Sequence, residues 1–191
     1  SSKLTRARKR LFPRRKRPDL VDQFAQPGRV VNLGCGEGAQ LDGLADRFVP
    51  YGIEISEQAA AIGNTRFAER GGGVLCAPSL DGLKDVEDGF FSAATLRSYL
   101  EHETNPEPVL RELHRTLEPG GVAIIKVPNF ATVNRMIMGR KWCGFRYPDH
   151  LNYFTPRTLK AMAEKCGYAV ISSFAHKLPT SDNMYAILTK T

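Results

Sequence analysis

A doubly wound α/β fold, with a mostly parallel sheet covered by helices on both faces, is the architecture this sequence predicts. Three observations lead there. Residues 30–38 read VVNLGCGEG, a β-branched apolar run that stops at three glycines spaced two apart, Gly34, Gly36 and Gly38. Such a run suits a strand buried on both faces, and the glycines permit a sharp turn that leaves bare main chain for a ligand. Short apolar runs alternate with amphipathic stretches along most of the chain, the pattern of βαβ units. The second apolar run, Tyr51 to Ile55, ends with an acid, Glu54. Open α/β sheets bind their ligands at that edge.

The elements follow in order. Residues 18–26 open on Pro-Asp and predict a short helix, and Pro27-Gly28 punctuates it. The first strand runs into the glycine loop. A helical pattern comes next, with Leu41, Leu44, Ala45 and Phe48 on one face. The second strand covers residues 49–55. Ser56 caps a helix through Glu69, Glu57 favours its first turn, and Gly71 to Gly73 break it. Residues 74–76 are a short third strand, 78–89 are polar and turn-rich, and 89–96 are the fourth strand. A helix is predicted over 106–117, with Val109, Leu110, Leu113 and Leu117 on its buried side. Pro119-Gly120-Gly121 closes it in a tight turn. Residues 122–127 form the fifth strand. Residues 129–153 lack periodicity, and a loop of that length in a compact domain usually serves function. Thr155 caps a helix over 156–165, closed by Gly167. Residues 168–174 and 184–189 are two last strands in a hairpin-like pair, making seven in all. No internal repeat is present.

Composition bounds the rest. The chain has 191 residues, 42% of them hydrophobic, enough for one sizeable core. Its charge of +7 is uneven. Residues 1–18 hold nine Lys and Arg and no acid, which leaves 18 basic against 20 acidic residues, a net of −2, in the remainder. We read residues 1–18 as a basic, flexible arm and 19–191 as a single domain. The arm could meet nucleic acid, an anionic membrane surface or an acidic partner, or be solvated chain; with only Phe12 among its cations it lacks a stacking platform. No apolar run is long enough to span a membrane, and no secretory leader is visible. Cys35, Cys76, Cys143 and Cys166 read as reduced thiols, three of them in apolar packing. With no metal-ligand spacing among cysteines or histidines, no metal is expected, and the protein is expected in the cytoplasm.

The glycine spacing separates two cofactor readings. A dinucleotide fingerprint places its third glycine three residues after the second. Here that position is Ala39 and the glycine falls at Gly38, which disfavours a nicotinamide enzyme. Five segments carry a different likeness: VVNLGCGEG, the acid-ended YGIEI, the triplet Leu100-Glu101-His102, LEPGGVAIIKVPN, and PDHLNYFTPRTLKAMAEKCGY from Pro148 to Tyr168. Over residues 28–190 the chain resembles the class I S-adenosylmethionine-dependent methyltransferases, which have a Rossmann-like fold. The last segment is similar to a broad subgroup whose better-known members methylate small molecules such as quinone precursors and sugars.

The resemblance implies S-adenosyl-L-methionine as cofactor and S-adenosyl-L-homocysteine as product. Asn32, Gly34, Cys35, Gly36 and Gly38 would lie against the methionine part, with loop amides and a helix N-terminus facing its carboxylate. Glu54 would accept both ribose hydroxyls, and Ile55 would pack on the adenine. Three positions depart from the family pattern. Asn32 stands where an acid is common, Cys76-Ala77-Pro78-Ser79 offers no acid for the adenine amino group and leaves Ala77 and Ser79 to serve, and Phe91-Ser92 replaces an aromatic-Asp pair. These departures bear on cofactor affinity more than on fold.

Methyl transfer asks little of side chains beyond alignment, and a base is needed only when the acceptor must lose a proton. Candidates are His102 and His150, imidazoles being suited to proton transfer near neutrality, with Tyr153 beside His150. Glu101 could orient His102. The 129–153 segment reads as an acceptor lid. Trp142 and Tyr147, with Phe145, could bury a ring, and Arg146, with Arg135, Arg140 and Lys141, could meet an anionic group. The expected activity is methyl transfer to an oxygen or nitrogen of a small-molecule or glycan-type acceptor. Two alternatives stay open: nucleic-acid or protein methylation docked through the arm, and a non-catalytic module retaining the fold.

Overall fold

The computed structural model describes residues 20–175 and 181–191, and the basic arm lies outside them. Seven strands form one sheet: β1 (Gly28–Leu33), β2 (Phe48–Glu54), β3 (Gly73–Cys76), β4 (Phe91–Arg97), β5 (Leu117–Pro128), β6 (Tyr168–Ala175) and β7 (Asn183–Lys190). Their spatial order is β3-β2-β1-β4-β5-β7-β6. The first five run parallel; β7 pairs antiparallel with both β5 and β6. The chain winds outward from β1 to β3, then returns to place β4 on β1's other side. That reversal makes the carboxyl ends of β1 and β4 the topological switch point, the edge at which open α/β sheets bind their ligands.

Two apolar layers cover the sheet. One contains Leu83 of α3 (Ser79–Lys84), Val109, Leu110 and Leu113 of α4 (Pro106–Thr116), and Leu159 and Ala163 of α6 (Pro156–Lys165). The other contains Val21 of α1 (Leu20–Phe24), Leu41, Leu44, Phe48 and Phe67 of α2 (Glu57–Ala68). Each leucine taken fully from water contributes about 1.5–3 kcal/mol, so the i, i+3, i+4 stripes legible in the sequence hold the helices to the sheet. Capping is as expected. Ser56 Oγ accepts from the Ala59 amide, and Thr155 and Thr158 form a capping box.

Four local expectations are corrected. The helix after the glycine loop is one 3-10 turn, Ala39–Leu41, followed by turns. Asp42, Gly43 and Asp46 are poor helix formers, yet Leu41, Leu44 and Phe48 are still buried, so turns suffice to place them. Residues 79–84, expected as turns, form α3. Pro119-Gly120-Gly121 lies within β5, where the register slips between the Phe91–Leu117 and Ala93–Val122 pairs; the extra residues make a bulge, not a turn. Only Cys35 and Cys166 are buried, while Cys76 and Cys143 are exposed.

Candidate functional site

The glycine loop and the end of β2 are tied by one carboxylate. The Gly36 amide donates to Glu54 Oε2 at 2.8 Å and the Ser56 amide to Oε1 at 2.9 Å. Each oxygen keeps a lone pair for a further donor. Gly36 has φ +54°, and a Cβ placed there would meet nothing within 4 Å, so the loop crest faces open space. Gly34 has φ +63°, and its Cβ would stand 2.8 Å from the Tyr99 ring. Ile55 is 70% exposed beside Glu54. The Ala77 amide donates to the Glu54 carbonyl at 3.1 Å, and buried Ser79 opens α3.

Other loop amides are engaged within the protein. Gly34 and Cys35 both donate to the Ile53 carbonyl, and Gly38 donates to that of Cys35. No α-helix begins at this loop, so a helix dipole does not assist it. At these amides the loop offers shape. Burial, then the Glu54 charge, push the Cys35 thiol up to about 12, which keeps it neutral and unreactive.

Two buried polar side chains face the same layer. Asn32 and Thr95 are register partners across β1 and β4, and both are fully buried. The Asn32 amide atoms and the Thr95 hydroxyl have no hydrogen-bond partner. Such a group costs about 1–3 kcal/mol when left unsatisfied, so a water or ligand atom there would be strongly held.

Beyond β4 the chain turns through Ser98, the one non-glycine residue with positive φ among the described residues. Tyr99 follows, lying on Gly34 with its hydroxyl bonded to Glu103. Burial, then that bond, raise its phenol above the ordinary value. Glu101 is 1% exposed. Its carbonyl accepts from the Leu151 and Asn152 amides at 2.8 and 3.0 Å, and the Asn152 side chain donates to the Leu100 and Glu103 carbonyls. These bonds zip residues 149–152 onto 100–103. His102 Nδ1 lies 2.7 Å from the Asp149 carbonyl and His150 Nδ1 lies 2.9 Å from that of Gly144. The two rings meet edge to face with centroids 4.8 Å apart. Burial raises the Glu101 carboxyl above its ordinary range, opposed by its own main-chain hydrogen bond and by the two histidines.

The 129–153 segment contains α5 (Val133–Met138) and a 3-10 turn, Gly139–Lys141. One carboxylate organises it. Asp182 accepts the Trp142 indole at 2.6 Å and the Asn134 amide at 2.9 Å, while its carbonyl accepts from the Asn129 amide. Burial alone would raise the Asp182 carboxyl; bonds from Asn134, Trp142 and Cys143 hold it below its usual value. Phe130, Trp142, Phe145 and Tyr153 form a ring cluster with centroids 5.4–6.2 Å apart. The sequence-predicted acceptor residues therefore separate: Trp142 is buried in this cluster, Arg146 is exposed, and Tyr147 is 85% exposed. Trp142 is the only tryptophan in the chain, so its fluorescence reads the contact with Asp182. Asp182→Asn is expected to red-shift that emission and lower stability by about 1–3 kcal/mol, the scale of bonds to a charged group. An unchanged spectrum would show that the carboxylate does not hold the indole.

The structure thus joins Gly36 to Glu54 and Glu101 to His102 and His150. Tyr99, Thr95, Asn152 and Asp182 were not foreseen. The edge holding Tyr99 was legible, but its contact with Gly34 was not, and nothing in the sequence marked Asp182. A separate cleft of about 410 Å³ lies along β3, lined by Tyr51, Leu75, Val86 and Phe90 among others; it includes none of the predicted site residues.

A family model described as a methyltransferase domain matches residues 3–173. The ubiquinone biosynthesis O-methyltransferase of Dechloromonas aromatica is 32% identical over 117 residues, covering 59% of this chain and 50% of that protein. The one of Chromobacterium violaceum is 28% identical over 167 residues, covering 79% and 69%. The first two curated relatives are matched over only about half their length. Among solved structures, an S-adenosylmethionine-dependent methyltransferase from Thermotoga maritima superposes with TM-score 0.68 at 21% identity, covering 90% of this chain and 86% of the other. One from Methanosarcina mazei gives 0.70 at 16% identity, covering 90% and 97%.

Proposed function

The chain belongs to the class I S-adenosylmethionine-dependent methyltransferases, and from that premise we propose that it moves the cofactor's methyl group to an oxygen of a small-molecule acceptor. The observation that carries the reading is Glu54. Its carboxylate is held at the carboxyl edge by the Gly36 and Ser56 amides, with acceptor capacity left over, which suits a pair of ribose hydroxyls. The open space over Gly36 and exposed Ile55 suit the rest of an adenosyl group, and the orphaned Asn32 amide suits a polar neighbour. The residues present therefore fit the cofactor, which supplies an already activated methyl group on a sulfonium.

The protein's task is alignment, and orientation alone supplies about 7–11 kcal/mol in well-ordered cases. An acceptor hydroxyl must also lose its proton. Because His102 Nδ1 and His150 Nδ1 face main-chain carbonyls, each imidazole keeps its Nε2 lone pair when neutral, available to take that proton. Oxygen is favoured as the methylated atom because the relatives that match are named O-methyltransferases. Their ubiquinone precursors make an aromatic hydroxyl the first acceptor class to test.

The test incubates the purified protein with methyl-labelled S-adenosylmethionine and phenolic, sugar and amine acceptors. Label is expected in an O-methyl ether together with S-adenosyl-L-homocysteine. Label on nitrogen, or no binding of S-adenosyl-L-homocysteine, would defeat the reading. No helix among the described residues is long and apolar enough to cross a membrane.

A further inference from the structure

We propose that Glu101, His102 and His150 form a binding site for a divalent first-row transition-metal ion. The three come from two segments, 101–102 and 150, and each offers one ligand atom; all of these lie within 4.8 Å of one another. Small side-chain adjustments would bring them to the spacing that ligand bonds of about 2.0–2.2 Å require.

Two features suit a cation, and a third holds the backbone in place for it. Glu101 Oε2 is buried and lacks any hydrogen-bond partner. A buried carboxylate oxygen left bare is costly unless something positive completes it. Both imidazoles present the same protonation pattern. With Nδ1 2.7 and 2.9 Å from the Asp149 and Gly144 carbonyls, which can only accept, Nδ1 is the donor, and a neutral ring has its lone pair on Nε2. Metal-bound histidines are held in this way by an outer hydrogen bond that sets tautomer and ring orientation. The backbone is also fixed, because the Glu101 carbonyl accepts both the Leu151 and Asn152 amides. The donor set of two imidazoles and one carboxylate suits zinc, manganese or iron rather than calcium. Three protein ligands leave a position open, as catalytic metal sites do. His102 is exposed while Glu101 and His150 are buried, so the open position lies on the solvent side.

This deepens the proposed O-methylation and rests on it for its chemical role. A cation here would draw electron density from the acceptor hydroxyl and lower its pKa. With both Nε2 lone pairs given to the cation, the hydroxyl proton passes to water instead of to an imidazole. The oxygen lone pair then forms the O–C bond to the methyl group as the C–S bond breaks. The bonding pair stays on sulfur, which becomes a neutral thioether.

The test needs no acceptor. The purified protein is stripped with a chelator, desalted and titrated with Zn²⁺ and, separately, Mn²⁺ alone, in competition with a chromophoric chelator. One equivalent is expected to bind the native protein. Glu101→Gln, His150→Ala and the exposed-site variant His102→Ala should each weaken binding at least tenfold, while circular dichroism and S-adenosyl-L-homocysteine affinity stay native. Failure of the native protein to take up either ion, or equal uptake by all three folded variants, would overturn the site. Cation binding without any S-adenosyl-L-homocysteine binding would support the site and sink the methyl-transfer reading instead.

Discussion

Gly36→Arg is expected to remove S-adenosylmethionine binding while the protein stays folded. A Cβ at Gly36 meets nothing within 4 Å, so no neighbour is displaced inside the protein. The cost to folding comes from φ +54°, roughly 1–2 kcal/mol for an L side chain in the left-handed region. Domains are commonly stable by about 5–15 kcal/mol, so the fold survives. The arginine side chain instead fills the open space over the loop crest, where the cofactor reading places the ligand. Binding should fall at least about a hundredfold, ~2.7 kcal/mol, by calorimetry with S-adenosyl-L-homocysteine. Affinity within a factor of two of native would mean that the ligand lies elsewhere.

Removing the Glu54 carboxylate is the second large effect. Glu54→Ala takes away the acceptor of the Gly36 and Ser56 amides as well as the proposed ribose contacts. Hydrogen bonds to a charged group contribute about 1.5–3 kcal/mol, so cofactor affinity should fall about 10- to 150-fold. The Ser56 cap on α2 does not depend on Glu54, since Ser56 Oγ accepts from the Ala59 amide, and the helix should persist. Glu54→Gln keeps the shape and one acceptor oxygen, and its loss should be intermediate. If Glu54→Ala lowered thermal stability but left affinity unchanged, the carboxylate would be only a loop tie.

Much of the fold was legible because burial dictates pattern. Val30, Val31 and Leu33 are completely buried, and a strand covered on both faces is mostly apolar. The α4 stripe of Val109, Leu110 and Leu113 reads as a helix for the same reason. Elements were misread where burial and backbone preference diverge. Leu41, Leu44 and Phe48 have helical spacing and are buried, yet Asp42 and Gly43 leave the segment as turns. Helix α3 is six residues long and contains Gly82, too short to show a period. The bulge at Pro119 to Gly121 depends on pairing with β4, which no local signal encodes.

The candidate site divides along the same line. The position of Glu54 was legible because it depends on local order: a strand end beside the glycine loop in the parallel pair. Its distance to Gly36 was not legible, but its edge was. Glu101, His102 and His150 show no ligand spacing in sequence. They meet because Leu151 and Asn152 bond to the Glu101 carbonyl across a gap of 50 residues. Asp182 and Trp142 are separated by 40 positions and joined by one 2.6 Å bond.

By itself the order of residues determined the alternation of strands and helices, the glycine turn after β1 and the acid that closes β2. Each of these depends on periodicity or on backbone freedom within a few neighbours. Tertiary structure alone decided that Tyr99 covers Gly34, that Asn32 and Thr95 share a buried face without partners, and that one carboxylate gathers two imidazoles. Those outcomes depend on which side chains the sheet crossing brings together, and a bond between distant segments leaves no periodic trace in either one.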